Sequence, residues 1–386
     1  MSYNILGINL VHNGAAALVS NGELVYYLEE ERLSRIKRDG NPFRAMVDIC
    51  SQYKVDELVI GGTNGPSERN ELPWTKESPY VALVRKYNPN LKITWLNKQH
   101  HLLHASCAYY NSGFNSATML IIDGAGSYQV YDIDKNKKLM GWEAESIWSA
   151  KNDKNFELIY KTYGKNTPPR ILYKIDGQEH DFDEAVTITK AYEAVTNYLG
   201  WDALEAGKTM GLAPYGKRNP NIPLLFKNGR GNRDIFIPDY PSGAIIDYRS
   251  NSIFNRTRSP KAFHKNQNEL LDIEADLAWH IQNDTQEEVA KLIEKSVKIT
   301  GNKQICIAGG YGLNCVTNYW LKKRFPSLEI YHEPISHDGG TAIGAAKIIS
   351  QHSKNNLPKQ KIKSLYLGPK YSKEELLEGI KKYVDN

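Results

Sequence analysis

The chain has 386 residues, 41% hydrophobic and 24% charged, the composition of a soluble globular protein long enough for two lobes. Its formal net charge is +5, but the signs are interspersed, with no long basic run and no basic–aromatic alternation, so nucleic acid is not an expected partner. The four cysteines form no C-x-x-C pair, the N-terminus has no signal-peptide pattern, and no apolar run reaches membrane-spanning length; structural thiols, no membrane contact and a cytoplasmic location are expected.

The first elements read as strands. "NILGINL" (4–10), "GAAALVSNG" (14–22) and "ELVYYLEEE" (23–31) follow one another, with Asn21-Gly22 as a two-residue hairpin turn. A helix is predicted from Pro42 to Tyr53, then the strand "ELVIGG", a helix near 78–87 and the strand "KITWLN". Residues 98–110, "KQHHLLHASCAYY", read as a helix running to about Ser112. "TMLIIDGAGSYQVYDID" (118–134) reads as two antiparallel strands joined at "DGAG". Residues 140–265 read as more irregular, with further strand candidates and one helix, "DEAVTITKAYEAVTNYL". "EAGKTMGLAPYGK" (205–217), with three glycines and Pro214, reads as an ordered loop, and such loops often hold ligands. From Asn268 to Thr300 an amphipathic helical stretch is predicted, with room for one break. The end alternates strand and helix: "QICIAGG", "LNCVTNYWLKK", "LEIYHEP", "GTAIGAAKIISQ". Such alternation after a hairpin-rich start predicts an α/β architecture with two related halves. The Lys-rich segment "LPKQKIKSLYLGPKYSKEELLEGIKKY" is expected to leave the compact body.

Three of the chain's 10 histidines, His100, His101 and His104, fall within five positions. On a helix His100 and His104 share one face, with Cβ atoms roughly 5–6 Å apart, so two imidazoles can meet one metal ion. His101 points roughly 100° away around that helix. An H-x-x-x-H pair taken alone is more often an ordinary pair of surface histidines, and a site needs carboxylates from elsewhere. Asp123 ends the apolar strand "MLIID", and Asp338 follows "EPISH"; both stand at strand ends, where α/β folds place ligands. A His/Asp set suits Fe, Mn or Zn better than Ca or Mg.

Gly124 and Gly126 in "DGAG" let backbone N–H groups approach an oxyanion, although a plain turn explains them equally well. In "AGGYGLN" Gly309 and Gly310 follow a strand and open a helix, a place for nucleotide phosphates, but no G-x-G-x-x-G fingerprint is present. His12, between two early strands, is able to take a proton from a hydroxyl, although a turn histidine without a role is the blander reading. "EEERLSRIKRD" (29–39) reads as a solvated charged face.

Together, "VHNGAAALVSNGELVYYLEEERLSRIKRD", "HHLLHASCAYYNSGF", "LIIDGAG", "GKTMGLAPYGK", "GGYGLNCVTN" and "EPISHDGGTAIGAA" resemble, in order, the NodU/CmcH-type O-carbamoyltransferases. The resemblance runs from about residue 4 to about 370. It implies an ASKHA-type (actin, Hsp70 and sugar-kinase-like) Kae1-like fold, with two RNase H-like lobes around a nucleotide cleft. Residues 1–365 would form that domain, with lobes of approximately 1–115 plus C-terminal helices, and 116–350. Residues 366–386 would be a linker toward a YrdC-like domain that this chain does not contain.

The resemblance implies transfer of a carbamoyl group from carbamoyl-adenylate, made from carbamoyl phosphate and ATP, to a hydroxyl of a sugar, nucleoside or antibiotic. A YrdC-like domain or subunit in trans would make the adenylate; a homodimer is a further expectation. By the same resemblance His100, His104, Asp123 and Asp338 would bind iron, with Mn or Zn as the other candidates. His12 would activate the acceptor. Gly124, Gly126, Gly309, Gly310 and Asn314 would line the nucleotide, with Glu205 on the ribose hydroxyls. Arg32, Arg35 and Lys37 match a basic family stretch without an assigned role. The chain departs from the family at His12-Asn13-Gly14, where His-Asp-Ser/Ala is common, so a carboxylate is lost beside the proposed base. Two alternatives stay open: a non-catalytic nucleotide-binding subunit, and a tRNA threonylcarbamoyl transferase-like enzyme, against which the "GKTMGLAPYGK" loop and the absent basic surface argue.

Overall fold

The opening hairpins become half of a five-stranded sheet. In the computed structural model, which describes residues 2–62, 78–135, 137–151, 155–247, 254, 272–352, 360–369 and 371–384, the chain first forms β1 (Asn4–Asn9), β2 (Ala15–Ser20) and β3 (Glu23–Glu29). Asn21 and Gly22 both have positive φ, 48° and 87°, as a tight two-residue hairpin turn requires. With β4 (Glu57–Gly61) and β5 (Lys92–Leu96) the order is β3-β2-β1-β4-β5, antiparallel in the hairpins and parallel from β1 to β5.

A second sheet repeats this pattern. It contains β6 (Ser116–Ile122), β7 (Tyr128–Asp134), β8 (Lys137–Lys151), β9 (Asn155–Gly164), β10 (Ile171–Ile175) and β11 (Gln178–Asp183). After two short ribbons, β12–β13 (Phe226–Lys227, Arg230–Gly231) and β14–β15 (Phe236–Asp239, Gly243–Ile246), β16 (Gln304–Ala308) and β17 (Glu329–His332) complete it. The run β9-β8-β6-β16-β17 has the same order and strand directions as β3-β2-β1-β4-β5. The two halves are therefore related in topology, as the alternation of elements predicted.

Helices fill three layers around the sheets. His100–Ser112 and Gly340–His352 lie between the sheets: Leu103, Ala105, Ala345 and Ala346 share one apolar cluster with Ile5 and Val59 of one sheet and Met119 and Ile121 of the other. The two helices approach closely; a Cβ on Gly344 would lie 1.9 Å from the Leu103 carbonyl oxygen. Because successive side chains alternate across a strand, Leu120 and Ile122, with Ile305 and Ile307, point the other way. They pack there beneath the helices Ile188–Tyr198 and Asp272–Thr300. Phe43–Gln52 and Pro79–Tyr87 cover the outer face of the first sheet. None of the described helices is long and apolar enough to cross a membrane. Cys50, Cys107 and Cys306 are buried thiols and Cys315 an exposed one.

Several local expectations need correction. β6 and β7 do not pair as a hairpin. They lie in tandem along the 15-residue β8, which pairs with β7 over Lys137–Trp142 and with β6 over Glu145–Lys151. Residues 123–127 are an excursion between them, held by Asp123 N–H to Ala144 O and Gly126 N–H to Glu143 O. Much of the stretch from 140 to 183, read as more irregular with strand candidates, is strand: the end of β8, then β9, β10 and β11. "EAGKTMGLAPYGK" is helical over Ala206–Leu212, despite its glycines, because Asp202 and Glu205 form a capping box just before it. Asp272–Thr300 is one unbroken helix; the expected start at 268 lies outside the described residues. Not all of the Lys-rich end leaves the body: Ile362 N–H donates to Asn111 O and Tyr27 N–H to Leu367 O. Lys373–Val384 then forms a helix with no buried residue.

Candidate active site

The histidine helix is buried nearly all round, so both imidazoles of its first turns are enclosed, His100 at 0% and His104 at 1% exposure. One helical turn puts their Nε2 atoms 3.1 Å apart. Asp123 leaves the carboxyl end of β6 with Oδ2 3.3 Å from His100 Nε2. Asp338, two residues before the helix Gly340–His352, places Oδ1 3.4 Å from His100 Nε2 and 3.5 Å from His104 Nε2. Each of the four residues offers one ligand atom, and all four atoms lie within 4.8 Å of one another.

The group is short of positive charge. Two buried carboxylates face two imidazole rings, which carry no permanent charge. Burial pulls the His100 imidazole down, yet Asp338 and Asp123 outweigh it and lift its pKa to about 10. Burial works against the charge on Asp123 and Asp338 as well. Hydrogen bonding from His100 still holds Asp123 below the carboxylate range, and His12 and His100 do so for Asp338. Converging, buried imidazole nitrogens and carboxylate oxygens fit a divalent cation, and this donor set suits Fe, Mn or Zn. His101 faces away from the group, as its helical position predicts: its Nδ1 meets Ser146 Oγ at 2.9 Å, and burial lowers its pKa to about 3.

His12 stands at the rim of this group, its Nε2 3.3 Å from Asp338 Oδ2 and its side chain 45% exposed. Its Nδ1 lies 3.1 Å from Asn13 Oδ1, so the amide oxygen takes up the ring position that a carboxylate would hold. Asn13 has φ 59°, a left-handed conformation that asparagine tolerates. The Asp338 charge raises the His12 pKa against the pull of burial.

His12, Asp123 and Asp338 open on a cavity of ≈ 590 Å³, within the usual range for small-molecule sites. Gly124, Gly310 and Asn314 line it too. Gly310 N–H donates to Asp123 Oδ1 at 3.1 Å, and Asn314 caps the helix Cys315–Arg324 through Thr317 N–H. Gly309 and Gly126 are outside the lining and serve close packing. Gly309, with φ 91°, leaves no room for a Cβ against the Ile122 backbone; a Cβ on Gly126 would meet Glu143 and His101. Glu205 is also outside the lining. Its carboxylate pairs with Lys208 at 2.8 Å and accepts from Asp202 N–H, so the structure does not bring it to the cavity.

Other groups in the cavity had no sequence signal. Lys190 and Glu193 form a buried pair on one helical face, Nζ to Oε2 2.8 Å. Arg38 reaches from the first half of the chain to Asp202 in the second, 3.2 Å away. His337 meets Glu29 at 3.4 Å. Arg38 sat in a stretch read as a solvated face, and the helix carrying Lys190 was predicted with no residue singled out on it.

The carbamoyltransferase N-terminus family model matches residues 82–347, more than half of the chain. The chain belongs to that family, which is of the NodU/CmcH type. It is 26% identical over 392 residues to nodulation protein NolNO of Sinorhizobium fredii, covering 95% of this chain and 50% of the relative. Nodulation protein U of the same organism is 24% identical, over 90% of this chain and 63% of the relative. The chain thus spans about half the length of the relatives it matches. Among solved structures, HypF of T. kodakarensis superposes with a TM-score of 0.51 at 13% identity, over 92% of this chain and 49% of that one. The fold is of the ASKHA type.

Proposed function

We propose that this chain is a carbamoyl-transfer module: its cleft holds carbamoyl-adenylate and passes the carbamoyl group to a hydroxyl of a small-molecule acceptor. One arrangement carries this reading. A histidine able to exchange a proton, His12, touches the edge of a four-donor metal group, and both open on one cavity. Membership in the carbamoyltransferase N-terminus family supplies the group transferred.

In this reading the acceptor oxygen attacks the carbamoyl carbon. The new carbon–oxygen bond forms as the bond to the phosphate oxygen breaks, AMP leaves with that electron pair, and the hydroxyl proton passes to His12 Nε2. Asn13 Oδ1 accepts from Nδ1–H and so leaves Nε2 as the proton acceptor, while Asp338 stabilises the imidazolium that results. His100, His104, Asp123 and Asp338 would hold a divalent cation, iron by the family resemblance, which supplies charge neutralisation and Lewis-acid polarisation. Gly124 and Gly310 line the same cavity. Formation of the adenylate from carbamoyl phosphate and ATP is assigned to a YrdC-like domain or subunit outside residues 1–386.

The test supplies chemically made carbamoyl-adenylate to the purified chain with a panel of sugars, nucleosides and aminoglycosides. Acceptor-dependent AMP release and a carbamoylated product by mass spectrometry are expected. His12→Ala should lower the rate 10²- to 10⁴-fold, roughly the contribution of a general base. Binding of the adenylate without transfer to any member of the panel would favour the non-catalytic subunit instead.

A further inference from the structure

The paired strands β7 and β8 have one closed face and one open face. Successive side chains alternate across a strand. Leu139 therefore turns one way, into a buried cluster with Tyr163 and Phe182, and its register partner Tyr131 packs on the same cluster. Trp142, Met140 and Lys138 turn the other way, opposite Tyr128, Val130 and Asp132. These three cross-strand pairs form a ladder. Its first rung, Trp142 and Tyr128, sets two half-buried rings edge to face with centroids 5.2 Å apart. The second rung, Met140 and Val130, is apolar yet 42% and 38% exposed. The third, Lys138 and Asp132, is an exposed ion pair at 3.2 Å. Trp142 also lines the cavity that holds His12, together with Ala125 and Pro241. The ladder thus leaves the cavity wall at Trp142 and runs outward for about 14 Å to Lys138, at roughly 3.4 Å per residue. Among the described residues, neither the Trp142 indole N–H nor the Tyr128 hydroxyl has a hydrogen-bond partner.

We infer that this ladder is a stacking platform for sugar rings and that the acceptor is a glycoside. The inference rests on the carbamoyl-transfer reading of the cavity, whose acceptor it specifies. The chemistry of the rungs selects a sugar. A pyranose has an apolar C–H face and a rim of hydroxyls. The Trp142 ring covers the first, while the indole N–H and the Tyr128 hydroxyl, at the ring edges, meet the second. Met140 and Val130 give a further sugar ring apolar surface, and Asp132 and Lys138 offer an acceptor and donors beyond it. A purely apolar chain would bury the indole N–H and the phenol without partners, which is costly. A phosphorylated ligand would be repelled by Asp132 and would gain nothing from the aromatic rung. An exposed apolar pair, flanked by polar groups and continuous with a cavity, is the pattern of a binding surface. A sugar stacked on Trp142 stays in the cavity onto which His12 opens.

Saturation-transfer NMR on the 386-residue chain tests it, with methyl glucoside, cellobiose, maltose and lactose as probes and cyclohexanol as an apolar ring of similar size. Saturation of ring C–H protons is expected in at least one disaccharide, weaker in methyl glucoside and absent in cyclohexanol. Trp142→Ala should weaken binding of that disaccharide roughly 10-fold, the scale of an aromatic contact. Met140→Ser changes only exposed surface, and should weaken the disaccharide about 3-fold while leaving methyl glucoside as it was. It keeps the test decisive if Trp142→Ala fails to fold. Saturation of no sugar, equal saturation of cyclohexanol, or a disaccharide signal unchanged in every variant that folds overturns the platform. The two readings fail separately. Sugar binding that Trp142→Ala removes, without any carbamoylated product from carbamoyl-adenylate, keeps the platform and sinks the transfer reading. Transfer to a hydroxyl outside the sugars, at a rate Trp142→Ala leaves unchanged, does the reverse.

Discussion

Two buried clusters of charge sit on the second sheet and its surroundings, and they solve the same electrostatic problem in opposite ways. Glu143, Glu145, Asp181 and Asp183 are all nearly inaccessible, but each has a permanent cation against it. Lys161 meets Glu143 at 2.5 Å, Arg230 meets Asp181 at 2.9 Å and Glu145 at 3.5 Å, and Arg233 meets Asp183 at 2.7 Å. At Asp123 and Asp338 the chain offers only imidazoles. The first cluster is electrically complete from the chain's own residues, so it reads as structural. The second is balanced only by protonating a histidine or by admitting an ion from outside. A buried acidic cluster points to a ligand when its cations are missing, not merely when it is acidic.

The sharpest way to break this comparison is Arg230→Met. It takes the cation from Glu145 and one of the two arginines from Asp181, which keeps Arg170, and should cost about 3–5 kcal/mol in urea unfolding, as removal of one partner from a buried ion pair does. The remaining soluble protein should bind metal as before. Chelation should act only on the other cluster. Metal at 100 times its dissociation constant is expected to stabilise the native protein by about 2.7 kcal/mol, and Asp338→Asn should abolish that increment and the bound metal measured by elemental analysis.

The pH dependence separates the clusters further. Burial opposes the charge on Glu143, but Lys161 and His101 hold its pKa near about 2, so its stabilisation is complete above the unfolded value of 4.5 and lost as pH falls through about 2. His100 is shifted upward, so in chelated protein its contribution is complete below 6.5 and lost as pH rises through about 10. An alkaline loss of up to roughly 1.4 kcal/mol per pH unit is therefore expected with chelator, removed by His100→Gln. An unchanged slope in that variant would assign the loss elsewhere. The smallest effect is expected from Asn13→Asp, which restores a carboxylate beside His12 Nδ1 and should raise the His12 pKa by about 1 unit in an NMR titration.

Most of the four-residue group was legible because its parts obey local rules. Helical spacing brings His100 and His104 together, and the end of β6 delivers Asp123; Asp338, expected at a strand end, instead lies in the turn that opens the helix Gly340–His352. What local pattern does not encode was missed. Tandem pairing of β6 and β7 depends on the length of β8, which lies beyond both of them in the chain. Gly207, Gly211 and Pro214 mark a loop by propensity, yet a capping box and packing against the long helix Asp272–Thr300 make the segment helical. Glu205 had the right chemistry for a ribose, but its carboxylate is spent on that cap. Lys190 and Glu193 stand three residues apart, an ordinary helical pair in sequence; that they border the cavity, with Glu193 beside Gly124, is visible only in three dimensions.

The near-contact of Gly344 with the Leu103 carbonyl has a mechanical side. It locks the helix bearing His100 and His104 to the one that begins just after Asp338, so three of the four ligand residues ride on a single beam, and Asp123 alone arrives from the second sheet. Gly344→Ala would wedge that beam apart and disturb the spacing of His100, His104 and Asp338 without altering any of those side chains, while any opening of the two halves would be felt first along the reach to Asp123.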